Sequence, residues 1–246
     1  MWKLDFISEE DFKLNIKKTV ESYLNAMREV DLADFNSNII DPIKLLFDMK
    51  VYGKTTEELV EDEITRQIDK TNSNSIGYFN QNMFKYIKNC IVPPQGFDVI
   101  YTNPDNGKKI YAEMKNKHNT MNDGGKNTVM EKMQSKVKEE PDAVCYLVEV
   151  ISGSSKDVVW NYKQNSDERI RRISIDRFYH MVTGEEDAFK KICDILPEKI
   201  DIVLQEMSNE EGNKDNLVLV QLREINPDII KSMFFLAFND YEGFKE

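Results

Sequence analysis

Cysteine is scarce in this chain. The 246 residues include three, Cys90, Cys145 and Cys193, which fit neither a disulfide framework nor a zinc spacing and suit a reducing cytoplasm. Long apolar runs are missing as well. No uninterrupted stretch approaches the roughly 18 residues that a membrane span needs. The opening Met1-Trp2-Lys3-Leu4-Asp5 lacks the apolar core of an export signal, so export is not expected. Glycine and proline, ten and seven residues, form no low-complexity tract, linker or repeat. Nor is positive charge in excess: 33 Lys and Arg stand against 44 Asp and Glu, a formal net charge of −11. Taken alone, that balance argues against nucleic acid, whose phosphates attract a basic surface. What remains is 40% hydrophobic and 31% charged residues. That is a soluble globular composition, with chain enough to bury a core without staples.

Charge is unevenly spread, however. From Lys108 to Lys138, eight lysines (108, 109, 115, 117, 126, 132, 136, 138) face three acids (Glu113, Asp123, Glu131). Net charge governs solubility and long-range steering rather than one local site. A basic island in an acidic chain therefore marks a place to look.

The first ninety residues read as helices. Ser8 and Asp11 form a capping pattern, and Phe12, Ile16, Val20, Tyr23 and Met27 recur at steps of three and four. Asp41-Pro42 reads as a cap and first-turn proline, opening a helix expected to turn Ile43, Leu46 and Phe47 to the core. A third helix is expected over Thr56 to Lys70, ended by the polar run Thr71 to Ser75, and a fourth over Ile76 to Asn89 with Phe79, Met83, Phe84 and Ile87 inward.

The pattern then changes. Gly96 to Tyr101 and Lys109 to Lys115 read as two strands of a hairpin, joined by the turn-rich Asn103-Pro104-Asp105-Asn106-Gly107. A helix over Asn127 to Lys138 leads to Ala143–Ile151, nearly continuous apolar sequence that predicts a central strand buried on both faces. A short strand over Arg172 to Ile175 precedes helices over Asp176 to Val182 and Glu185 to Leu196, the second stopped by Pro197. Ile200 to Leu204 and Leu217 to Leu222 look strand-like, with a last helix near Ile229 to Ala237. The expectation is one α/β domain over residues 1–246: mainly helical over 1–90, with the α/β core and C-terminal part over 91–246.

The chemistry concentrates on Asp98, Glu113 and Lys115. Glu113 and Lys115 lie two apart on one strand, about 6.6 Å along the same face. Asp98 belongs to the preceding strand, within pairing distance through the hairpin. Two carboxylates and an ammonium can then converge. Hard oxygen ligands of this kind suit Mg²⁺, which keeps several waters and takes one or two carboxylates plus substrate phosphate. The set suits hydrolysis of a phosphodiester. An acid and a lysine two apart on a solvated face would be only a weak surface pair, but Ile110, Ala112 and Met114 make the other face apolar. The run Asn116-Lys117-His118-Asn119-Thr120-Met121-Asn122 follows directly, rich in donors for phosphates and base edges.

Asp98 followed by Glu113-Met114-Lys115 resembles the PD-(D/E)xK nuclease superfamily. Longer stretches resemble one family of type II restriction endonucleases, those cutting GGNCC- or GGWCC-type sites. These are Phe35–Pro42, Ile76–Asn82, Gly96–Ile100, Ala112–Asn122 and Arg171–Asp176, and the likeness spans roughly residues 1 to 200. One departure is Phe97 where the motif has proline. The resemblance implies a restriction-endonuclease-like mixed central sheet flanked by helices, with a helical N-terminal part. It implies that Asp98 and Glu113 hold the metal with the Met114 carbonyl as a further ligand, and that Lys115 is the catalytic lysine. Glu61 and Glu63 belong to an acidic helix read as a solvated face and stay outside the site. A G/C-rich target favours arginine, bidentate to guanine. Arg169, Arg171 and Arg172 form the one dense arginine cluster, against the competing reading that they pair with Asp167, Glu168 and Asp176. Lys117, His118, Asn119 and Thr120 complete the expected DNA contacts. Trp160-Asn161-Tyr162-Lys163 either lies near DNA or covers the core.

The function expected is therefore Mg²⁺-dependent cleavage of double-stranded DNA at a short palindromic site, leaving 5′-phosphate ends. Such a target calls for a homodimer; the cysteine usage suits a cytoplasmic location, and the resemblance to restriction enzymes implies a cognate DNA methyltransferase. Two alternatives stand beside it. One is a structure-selective repair or recombination nuclease with the same core. The other is a non-catalytic module that binds DNA or other proteins, which would be expected to have lost one of the three site residues.

Overall fold

The computed structural model describes residues 2–27, 31–38, 40–117, 121–163, 167–207 and 217–238. In chain order the helices are α1 (Glu9–Ala26), α2 (Leu32–Ser37), α3 (Pro42–Tyr52), α4 (Thr56–Met83), α5 (Asp123–Glu139), α6 (Ile175–Thr183), α7 (Ala188–Met207), α8 (Leu217–Ile225) and α9 (Ile229–Phe238). The strands are β1 (Cys90–Ile91), β2 (Val99–Thr102), β3 (Lys109–Lys117), β4 (Val144–Ile151), β5 (Asp157–Val159) and β6 (Ile170–Ser174). No helix among the described residues is long and apolar enough to cross a membrane. The chain divides into two compact units, Met1–Val20 with Ser75–Met207, and Glu21–Asn74 with Ser208–Glu246.

The first unit is an α/β structure around a six-stranded mixed sheet of order β1-β2-β3-β4-β6-β5. The expected hairpin is present: β2 and β3 pair antiparallel, Val99 opposite Ala112. The apolar strand β4 is central and parallel to both β3 and β6. Alternation along the strands sends side chains to two different cores. Ile110, Ala112, Met114, Tyr146, Val148 and Ile173 join one, closed by α1, α6, α7 and the end of α4. Tyr111, Cys145, Leu147 and Ile170 join the other, under Val129, Met130, Met133 and Val137 of α5. Trp160 is buried in this second core and lies against Tyr162.

Local signals explain several boundaries. The Ser8 hydroxyl accepts from the Asp11 amide at 3.0 Å and donates to its carboxylate at 2.7 Å, capping α1. Asp41 accepts from the Ile43 and Lys44 amides, with Pro42 in the first turn of α3. Other expectations are corrected. The polar run Thr71 to Ser75 does not end a helix: α4 runs continuously through it from Thr56 to Met83. Pro197 does not stop α7. Its cost of about 3 kcal/mol is offset by a buried stripe on both sides of it, Ile192, Ile195 and Val203. Ile200 to Leu204 accordingly lies in that helix, and Leu217 to Leu222 is helical too.

The second unit is helical. Its core gathers Phe35, Ile40, Leu45, Leu59, Val60, Val218, Leu219, Leu222, Ile229 and Met233. On α3 it is Leu45 that faces inward; of the three residues expected there, Ile43 and Phe47 are exposed and Leu46 is half-buried. Glu63 is no solvated acid either. It is buried, and takes two hydrogen bonds from Arg66 and one from Gln67.

Candidate active site

The hairpin brings the three expected site residues together. Asp98 immediately precedes β2, and its carboxylate accepts the Met114 backbone N–H at 2.7 Å. That contact places it beside Glu113 in the facing strand. Glu113 and Lys115 share one side of β3, joined at 2.9 Å between Oε1 and Nζ. Phe97, which stands where the motif has proline, is buried in the α5-side core and packs on Tyr111 at 5.2 Å between ring centres. An aromatic anchor thus fixes the entry to β2.

A second lysine, missed from sequence, completes the cluster. Lys132 of α5 donates to Glu113 Oε2 at 2.6 Å and to the Gly96 carbonyl at 2.8 Å, with its ammonium 4.4 Å from the centre of the Phe97 ring. It flanks the inward stripe Val129, Met130, Met133 and Val137. The stripe and the basic island both pointed to its neighbourhood. The register of helix on sheet, which no local pattern encodes, selects it over the other lysines. The end of α4 also bears on the site: Gln81 donates to the Asp98 carbonyl at 3.2 Å, and Asn80 to the Asn116 side chain at 3.3 Å.

The two carboxylates sit in opposite electrostatic conditions. Burial pushes Asp98 above the usual aspartate range; the Met114 N–H lowers it, and the charge of Glu113 raises it further. Burial would raise Glu113 as well, but hydrogen bonding to Lys132 and the charge of Lys115 outweigh it and hold Glu113 low. The charges of Lys115 and Lys132 act on Asp98 without a hydrogen bond to it, and they do not outweigh its burial. A hard cation would add positive charge there. No group of three or more His, Cys, Asp or Glu is gathered for a metal among the described residues. Two carboxylates and a carbonyl fit the kind of site in which Mg²⁺ keeps most of its water.

The other expected residues are distributed. Lys117 is at the exposed end of β3. His118, Asn119 and Thr120 lie outside the described residues. Arg169 grips Asp167 through two hydrogen bonds, 3.0 and 2.6 Å, and donates to the Val137 and Pro141 carbonyls. It ties the end of α5 to the entry of β6. Arg171 pairs with Asp157 at 2.7 Å. Arg172 turns to the Glu113 side of the sheet and binds Glu149. Asp176, an expected partner of the arginines, instead takes a hydrogen bond from Ser155.

Comparison with known proteins identifies the family. The profile of the Eco47II restriction endonuclease family matches residues 4–205. The type II restriction enzyme Sau96I of Staphylococcus aureus is 32% identical over 222 residues, 85% of this chain and 84% of that protein. The type II restriction enzyme Eco47II of Escherichia coli is 28% identical over 238 residues, 87% of this chain and 95% of that one. With an acid pair and lysine gathered on a mixed sheet and a match across most of its length, the chain belongs to the Eco47II restriction endonuclease family and is a type II, site-specific deoxyribonuclease.

Proposed function

We propose that the enzyme uses Mg²⁺ to hydrolyse both strands of DNA at a short palindromic, G/C-rich site of the GGNCC or GGWCC type, leaving 5′-phosphate and 3′-hydroxyl ends. The observation that carries this reading is the convergence of Asp98, Glu113 and Lys115 on one sheet face. The family resemblance of the longer sequence stretches supports the site type.

Asp98, Glu113 and the Met114 carbonyl would hold the ion. When bound, a divalent cation lowers the pKa of water and offsets the charge that builds on the phosphate. The chain's own residues do the rest. The Lys115 ammonium, held by Glu113, orients the attacking water and balances phosphate charge. Lys132 keeps Glu113 ionised and fixes its rotamer between two cations. Lys117, at the exposed end of the same strand, meets the DNA backbone. A palindromic target presents the same half-site twice, so two copies of the chain related by a two-fold axis would each cut one strand. A cognate DNA methyltransferase would protect the host's own sites in the cytoplasm.

Incubation of pure protein with plasmid and Mg²⁺, followed by run-off sequencing, tests the reading. Discrete cuts at one sequence are expected. Smearing or intact plasmid across a range of salt counts against it. Glu113→Ala and Lys115→Ala should each abolish cutting while retaining much of the DNA binding; wild-type cutting by both removes these residues from the site.

A further inference from the structure

Next to the acid pair, on the same sheet face, lies a second charged cluster. In-register pairing lines up Glu113, Leu147, Arg172 and Val158 across β3, β4, β6 and β5. One step further along, Lys115 pairs with Glu149, and Glu149 with Ser174. Lys156 stands opposite Ser174: the Ser174 backbone N–H donates to the Lys156 carbonyl at 3.0 Å, and the Lys156 N–H donates to the Ser174 hydroxyl at 2.9 Å. Glu149 is 1% exposed. Its Oε1 takes Arg172 Nε at 2.9 Å and the Arg172 Nη2 group, and its Oε2 takes Lys156 Nζ at 2.6 Å.

A buried carboxylate is costly to desolvate, and apolar residues of similar size would hold a sheet at least as well. This one sits between two cations whose side chains keep 30% and 21% of their exposure. The cluster carries a surplus positive charge. Lys156 has donors to spare beyond Glu149. Arg172 has spent its Nε–Nη2 edge on Glu149, and its Nη1 makes no hydrogen bond among the described residues. An arginine so tethered is poorly placed to read guanine through that edge, and well placed to hold a phosphate oxygen. Two strand spacings separate Arg172 from Glu113, about 9.6 Å, against about 3.4 Å of rise per nucleotide. A phosphate gripped there would lie within a few nucleotides of the scissile bond.

We propose that Lys156 and Arg172 are phosphate contacts flanking the cleaved bond, and that Glu149 is the positioning residue that holds both cations in place. The assignment rests on the nuclease reading and separates Arg172 from the base-reading role expected of the arginine cluster.

Binding of labelled duplexes, with and without a GGNCC site, measured without divalent metal as a function of salt, tests it. Lys156→Met should lower the slope of log affinity against log salt by about 0.9, the value of one phosphate contact. The weakening should be equal on both duplexes, and Lys156→Arg should restore the slope. Arg172→Lys, which keeps the charge and loses the planar grip, should weaken both duplexes equally. Glu149→Gln removes a negative charge facing DNA. Weaker binding with a shallower slope, in a variant that melts as a folded protein, supports positioning. Tighter binding overturns it. Should Glu149→Gln fail to fold, the Lys156 variants decide. A wild-type slope in Lys156→Met, or weakening confined to one duplex, overturns the phosphate assignment even where the wild-type enzyme cuts DNA normally. A wild-type protein that neither binds nor cuts any duplex removes the nuclease reading and this assignment together.

Discussion

The two faces of the sheet in the first unit are built from the same six strands to opposite ends. One face is apolar over its central strands, where parts of four helices close it, and carries the paired Arg171 and Asp157 toward the β5 edge. The other is apolar only toward the start of the parallel strands, where α5 covers Tyr111, Cys145, Leu147 and Ile170. Toward their ends it carries Glu113, Lys115, Lys117, Glu149 and Arg172. The strand β3 is the seam, since its alternate residues supply both faces. The difference teaches that stability and chemistry here are divided by side-chain direction rather than by segment. The closed face keeps charge to one ion pair at its edge, Arg171 with Asp157, while the open face holds several charges that weigh against folding unless paired.

The most direct way to break this comparison is to put an unpaired charge on the closed face. Val148 is 0% exposed and lies in β4 between residues of the opposite face. Val148→Asp strands a carboxylate among α6 and α7 side chains, at a cost of about 3–5 kcal/mol. That is a large part of the about 5–15 kcal/mol that holds a domain together. Loss of the cooperative melting transition, or of soluble protein, is expected. A melting curve close to wild type would show that the closed face is not the dry core described.

Removing a charge from the open face should do the reverse. Asp98 titrates above its ordinary value because burial disfavours its ionised form. A carboxyl raised in the folded state contributes stability fully present below its unfolded pKa and lost as pH rises through the folded one. At neutral pH, ionised Asp98 therefore weighs against folding. Asp98→Asn can still accept the Met114 N–H, so it should raise the melting temperature without metal at pH 7. The gain should shrink as pH falls through the raised Asp98 value. The same change should reduce cleavage by more than the about 10–100-fold that follows loss of a merely supporting group at a metal site. On the proposed metal role, added Mg²⁺ should stabilise the wild type, and Asp98→Asn should weaken that gain. Melting with and without Mg²⁺ checks both signs at once.

How legible this was from sequence follows the same division. The hairpin, the central strand and the acid pair with its lysine were readable, because a turn-rich loop, an apolar run and a spacing of two are local patterns. The α7 helix past Pro197 and the α8 helix were not. Ile200–Leu204 and Leu217–Leu222 satisfy both strand and helix periods over so few residues, and packing with distant partners decided between them. Ile43 and Phe47 were placed inward because apolar residues usually are, and α3 instead buries Leu45. At the site, Lys132 and Glu149 escaped notice for one reason. Each is defined by a neighbour in another element, through helix-on-sheet packing for Lys132 and parallel register for Glu149.

Lys132 gives the smallest and sharpest prediction. Glu113 is buried enough to be raised, yet it is held low by Lys132 and Lys115. A carboxyl lowered in the folded state supplies stability above its unfolded pKa that is lost as pH falls through the folded one. Lys132→Met leaves an unbranched chain against the Phe97 ring, preserving the packing, but takes away one of the two ammoniums. Glu113 should then protonate at higher pH. On the proposed mechanism cleavage needs that carboxylate ionised, so the acid limb of the rate profile should move up in pH, while stability at neutral pH falls by about 1 kcal/mol or less. Lys132→Arg keeps the charge and should keep the limb where the wild type has it. An unmoved limb in Lys132→Met would show that Lys115 alone sets the ionisation of Glu113. The open face would then owe its charge balance to the sheet, with α5 serving only as a cover.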